Sequence, residues 1–168
     1  MRAALVLLWA AVAAMAMAMA MEGIPPHEEA ARVARFVAHA CDWAALATLS
    51  AQEPPMRGRP FANVFSMNAN ASLTMSLAQT PYCKKKGYDP QSPLCAHVIF
   101  SGLVEKVPDG AEADFAKTAL FSRHPEMATW PPDHNWFFAK LNITNVWVLD
   151  YFGGIKTVTP EEYFNAVP

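Results

Sequence analysis

Two tripeptides, Asn142-Ile143-Thr144 and Asn70-Ala71-Ser72, hold the residues whose types and spacing point most directly to a reaction. A hydroxyl two positions after asparagine is the acceptor rule for N-glycosylation, a modification of surface segments in secreted chains. Asn142 interrupts two apolar-rich strand patterns, so that point is expected at the surface, and Asn145 favours a turn or bulge there. Asn165-Ala166-Val167 fails the rule.

The cysteines agree with an oxidising compartment. Cys83 and Cys95 flank a polar loop containing Lys84, Lys85, Lys86, Gly87, Pro90 and Pro93, which buries too little to order itself. A Cys83–Cys95 disulfide is expected, contributing about 3 kcal/mol by loop closure. Cys41 is left over. With Ala40, Trp43 and Ala44 around it, it reads as a buried thiol acting as a small apolar residue, with intermolecular pairing as the alternative.

Other chemistry finds little support. His27-Glu28-Glu29-Ala30-Ala31 starts like a zinc-protease helix, but alanine stands where the second histidine is needed. His124 and His134 are separated by Pro125, Pro131 and Pro132 and match no usual ligand spacing. No G-x-S-x-G elbow and no glycine-rich phosphate loop occurs. Cys41 and His39, two apart on a helix, point away from each other. The aromatics Trp136, Phe137, Phe138, Trp147, Tyr151 and Phe152 could line a flat cofactor site but read more simply as core. No catalytic, cofactor or metal residue is assigned.

The elements that must position these residues begin with a leader. Arg2, an apolar stretch from Leu5 to Val12 and the small residues Ala18-Met19-Ala20 have the layout of a signal peptide over 1–20, cut between Ala20 and Met21. Residues 21–168 then make one domain, with no later segment apolar enough to span a membrane. The net charge of −2, with no basic stripe, argues against nucleic acid as a partner. Periodicity predicts helices over 27–41 and 111–123, the second with Phe115, Ala116, Ala119 and Leu120 as its apolar side. Strands are expected over 43–50, which is short and buried, 59–67, 72–78, 96–107, 136–141 and 146–151, with Gly102 as a bulge. In 72–78 the alternation turns Leu73, Met75 and Leu77 inward and Thr74 and Ser76 outward, and a tail with solvated Glu161 and Glu162 follows the last strand. About six strands and two helices define an α+β protein with a barrel-like antiparallel sheet.

Several stretches carry a resemblance: Glu29-Ala30-Ala31-Arg32-Val33-Ala34-Arg35-Phe36-Val37, Arg57-Gly58-Arg59-Pro60-Phe61-Ala62, Leu73-Thr74-Met75 and Asp89-Pro90-Gln91-Ser92-Pro93-Leu94-Cys95. So do Arg123-His124-Pro125-Glu126-Met127, His134 through Thr144, and Asp150-Tyr151-Phe152-Gly153-Gly154. Over nearly the whole chain after the leader, the sequence resembles the CREG ("cellular repressor") family of secreted glycoproteins. The resemblance implies a split β-barrel of the FMN-binding, pyridoxamine phosphate oxidase-like type, without a flavin cofactor and without turnover. It further implies a glycosylated homodimer, secreted or in endosomes and lysosomes, linked to growth restraint, differentiation and transcriptional repression. The implied partner is the mannose-6-phosphate/insulin-like growth factor II receptor. The alternative is a flavin-dependent oxidoreductase, by fold analogy. Between Met67 and Leu73 family members carry a further strand; here residues 68–71 replace it, so the barrel is expected to be incomplete.

Overall fold

Val33, Ala34 and Val37 recur at helical spacing and are fully buried on one face of helix α1, Ala30–Ala40. The computed structural model describes residues 23–48, 69–151 and 153–168. The expected leader with its Ala20–Met21 junction, and the strand expected over 59–67, lie outside the described residues.

Alternating side chains build a five-stranded antiparallel sheet among the described residues: β1 Ala45–Thr48, β2 Asn70–Ser76, β3 His97–Lys106, β4 Ala139–Leu149 and β5 Ile155–Val158. The strands pair in chain order, so each lies beside its sequence neighbour. One face of the sheet is core. Val98, Phe100, Val146 and Val148 pack there against α1 and against Tyr163 of α4, Pro160–Asn165. Each valine fully removed from water contributes roughly 1.5–3 kcal/mol relative to exposure. Phe100 and Tyr163 meet edge to face, and the Arg35 guanidinium lies 5.0 Å from the Tyr163 ring centre.

The register of β3 on β4 shifts once. Gly102 faces Ile143 and Ser101 faces Asn145, which leaves Thr144 as the extra residue. The bulge expected at Gly102 is therefore present, with its additional residue on the opposite strand. Glycine is required at this point for space. A Cβ on Gly102 would collide with the Asn142 carbonyl oxygen.

Four expectations need correction. The two strands expected over 136–141 and 146–151 are one strand, β4, because the bulge absorbs Thr144 without breaking the ladder. The cysteine loop contains a helix, α2 Pro81–Lys86, capped by the Thr80 hydroxyl and ended by Gly87 in the left-handed region at φ 71°. The tail forms β5 and α4, with Thr159 and Glu162 making a reciprocal capping box. Ser76, expected outward, is buried because its hydroxyl accepts the Ala78 N–H at the turn leaving β2.

Helix α3, Ala111–Arg123, has no buried residue, and Phe115, expected on its apolar side, is 74% exposed. It is tied down at its ends. Arg123 donates to Asp42 Oδ1 at 2.7 Å and to the His39 and Cys41 carbonyls, while Glu112 pairs with Lys140 of β4.

Candidate functional site

Residues directly opposite across an antiparallel sheet point to the same face. Asn70 of β2 faces Leu103 of β3, and Leu103 faces Asn142 of β4. The two sequon asparagines thus stand in one cross-strand row with Leu103 between them. All three are exposed, and all point to the face opposite the α1 packing. The next row is Ser72, Ser101 and Asn145, with the two serine hydroxyls 2.7 Å apart. Asn70 and Leu103 of the first row and all three residues of the second line a shallow furrow of about 470 Å³. Further along, the same face turns apolar through Ile99, Trp147, Leu149 and Ile155.

The bulge sets the geometry of the Asn142 sequon. The Thr144 hydroxyl donates to the Ser101 carbonyl at 3.1 Å. The Asn142 amide reaches only a long contact, 3.4 Å, to Glu105 Oε1 on the adjacent strand, and both side chains are exposed. The Asn142 nitrogen is therefore presented outward from a strand whose other face packs against the core through Ile143 and Leu141.

Cys83 and Cys95 are joined by a disulfide with Cα atoms 5.8 Å apart. It staples α2 and the turn after it to the base of β3, and both cysteines are buried. Cys41 is a free, buried thiol donating to the Ser76 carbonyl at 3.3 Å. Burial pushes its pKa up, which the Ser76 bond only partly opposes. A buried thiol held protonated is a poor nucleophile, and the sequence reading of Cys41 as a small apolar residue fits this placement.

Sequence reasoning missed a polar contact between distant segments. His27 Nδ1 lies 2.7 Å from Asp150 Oδ2, and the Asp150 side chain is fully buried. The other carboxylate oxygen accepts the Tyr151 N–H, and the Tyr151 ring lies against His27 at 5.2 Å. With 123 residues between the partners, no local signal announces the pair. It fastens the segment before α1 to the turn after β4. His97, half-buried at the start of β3, has its pKa lowered, chiefly by burial, with a backbone bond at Cys95 opposing.

Of the aromatics grouped by the sequence, Phe152 lies outside the described residues and the others separate in space. Trp136 and Phe137 are exposed beside α3, Trp147 lies on the second face of the sheet, and Tyr151 covers His27. They do not form one core, because residues 136–138 precede β4. Trp136 donates to the Pro131 carbonyl at 2.8 Å and stacks on His134. With Trp130, Phe121 and Phe138 it lines a groove of about 700 Å³. Lys117 is the one cation among the described residues that line it. No group of three or more metal-ligating side chains occurs among the described residues, and no described helix is long and apolar enough to cross a membrane.

An antiparallel sheet with α1 and α4 packed on one face defines an α+β protein of the split β-barrel class. The chain superposes on a solved structure titled heme binding protein from Mycobacterium smegmatis with a TM-score of 0.65 at 17% identity. That match covers 86% of this chain and 62% of the other. The family model described as "CREG, beta-barrel" matches residues 25–71 and 66–165. Protein CREG1 of Gallus gallus is 59% identical over 194 aligned residues, covering 98% of this chain and all of the relative. Protein CREG1 of Homo sapiens is 56% identical over 170, covering 84% of this chain and 76% of the relative. The chain belongs to the CREG family.

The same comparisons bear on the missing strand. Because 194 aligned positions exceed the 168 residues of this chain, at least 26 positions of the chicken relative have no counterpart here. The two family matches overlap over residues 66–71, a stretch that runs into the first two residues of β2.

Proposed function

We propose that this CREG-family protein is a secreted or lysosomal glycoprotein that acts by binding a receptor rather than by turning over a substrate. The observation that carries the reading is the Asn142 sequon. Its asparagine is exposed on a paired, rigid strand, and its threonine sits in a bulge that leaves the ladder intact. A glycan there would be held at a fixed angle by the sheet, which suits recognition by a lectin-type receptor. The Cys83–Cys95 disulfide supports the same compartment, since disulfides persist in oxidising environments. The partner we assign is the mannose-6-phosphate/insulin-like growth factor II receptor, the growth-restraint role follows from it, and the acting form is a homodimer.

The test is capture of protein secreted from mammalian cells on the immobilised receptor. Asn142→Gln is expected to lose most of the capture while keeping its circular dichroism spectrum. Unchanged capture by the folded variant would contradict glycan-dependent binding.

A second reading is favoured by one observation, the solved neighbour titled as heme-binding. In it, the aromatic groove beside α3 takes a flat ring, as in a flavin- or heme-using oxidoreductase. The lone Lys117 argues against a phosphate-bearing flavin in that groove. Protein purified from the medium is expected to be colourless, and to stay so after incubation with heme or flavin mononucleotide. A stoichiometric visible absorbance would move this reading ahead of the first.

A further inference from the structure

We infer that Asn70 and Asn142 carry a pair of glycans that share one patch of sheet, each shielding the other from processing. This rests on the secretory reading above. The geometry comes from strand pairing. Asn70, Leu103 and Asn142 occupy one row across β2, β3 and β4, with both asparagines exposed on the same face. Two strand steps separate the asparagines, about 10 Å. Two branched oligosaccharides rooted that close cannot splay apart freely, because β2 and β4 are both hydrogen-bonded to β3 along their length.

The surface between the roots is suited to being covered. Leu103 is 39% exposed, an apolar residue flanked by the two acceptors. Sugar rings laid over it would remove apolar surface from water. The furrow beside it is lined by small polar groups, Ser72, Ser101, Thr144 and Asn145. The Asn70 sequon falls where the two family matches meet, so this row is formed at the junction that joins residues before and after the missing positions.

The chemistry at each site is the same. A lipid-pyrophosphate-linked oligosaccharide is the donor. The asparagine Nδ2 forms a bond to the sugar C1 as the C1–O bond to pyrophosphate breaks. The amide gives up one proton, and the lipid pyrophosphate leaves. Transfer occurs before the sheet forms, so proximity does not prevent it. Trimming enzymes meet the folded chain, and there the two trees crowd each other.

The experiment is site-resolved glycopeptide mass spectrometry of full-length protein secreted from mammalian cells. It compares the unaltered chain with Asn70→Gln and Asn142→Gln, and with Ser72→Ala and Thr144→Ala as second routes to the same losses. In the unaltered chain, more than half of the molecules are expected to carry both glycans, with oligomannose forms retained on at least one. Removing either glycan should cut the oligomannose fraction on the other severalfold. Occupied Asn142 with unmodified Asn70 would overturn the pair while leaving the secretory reading intact. Two occupied sites processed identically with and without their neighbour would overturn the shielding. No glycan at either site would overturn the pair and the secretory reading together. If a variant is not secreted, native and denatured unaltered protein are compared for glycan release by endoglycosidase. Equal release rates would also overturn the shielding.

Discussion

Gly102→Ala should damage this protein more than any other single methyl addition to the sheet. The added Cβ would collide with the Asn142 carbonyl oxygen and press on the Ile143 Cα, both backbone atoms of a paired strand. A flexible side chain could swing aside, but a backbone carbonyl inside a ladder moves only with its strand. The cost belongs at the upper end for overpacking, about 3 kcal/mol, which lowers Tm by roughly 10 °C in a domain of this size. Thermal unfolding followed by circular dichroism, on Gly102→Ala and unaltered protein with matched glycans, measures it. Gly110→Ala serves as a control of different origin. No atom lies near a Cβ there, and only its backbone at φ 115° opposes the change. A Gly102→Ala protein within about 2 °C of the parent would refute the close-approach argument and the bulge register from which it comes.

Three further outcomes follow from other parts of the molecule. Replacing both Cys83 and Cys95 by serine should lower stability by about 3 kcal/mol, from a twelve-residue separation, as read by urea denaturation; loss under 1 kcal/mol would mean the helix-containing segment holds itself. His27→Ala leaves the buried Asp150 carboxylate without its side-chain partner and should cost about 1–3 kcal/mol in the same assay, whereas a neutral result would mean that Asp150 is satisfied without His27. For His97 the folded pKa lies below the ordinary value of 6.5, so the unfolded chain binds more protons just below that pH. Its stabilising contribution is full above 6.5 and falls away as pH drops through the folded pKa, so His97→Gln should reduce the loss of stability between neutral and mildly acidic pH; an unchanged slope would contradict the burial effect.

The parts legible in the sequence are those with strong local periodicity. Val33, Ala34 and Val37 mark α1, and the alternation from Leu73 to Met75 and from Val98 to Phe100 marks the sheet's core face. Gly102 signalled the bulge. The continuity of β4 was hidden because Asn142 and Asn145 read as turn residues, whereas the bulge lets the ladder run through them. The signals for α2 and α4 were present in Thr80-Pro81 and in Thr159-Pro160-Glu161-Glu162, a cap followed by proline at the first helical position. Trp43, expected to open a buried strand, is 61% exposed, and β1 starts two residues later. The candidate site was half legible. The sequons are local patterns, but the row that aligns Asn70 with Asn142 depends on the register of three strands. The contact of His27 with Asp150 likewise exists only through the fold.

The central claim, that this split-barrel chain is a secretory glycoprotein, is tested most directly by expressing the full 168-residue sequence in mammalian cells. Medium and lysate are compared on gels before and after enzymatic removal of N-glycans. The account predicts protein in the medium whose mobility shifts on deglycosylation, with the shift reduced in Asn142→Gln. Soluble protein confined to the cytosol, with no shift, would contradict it.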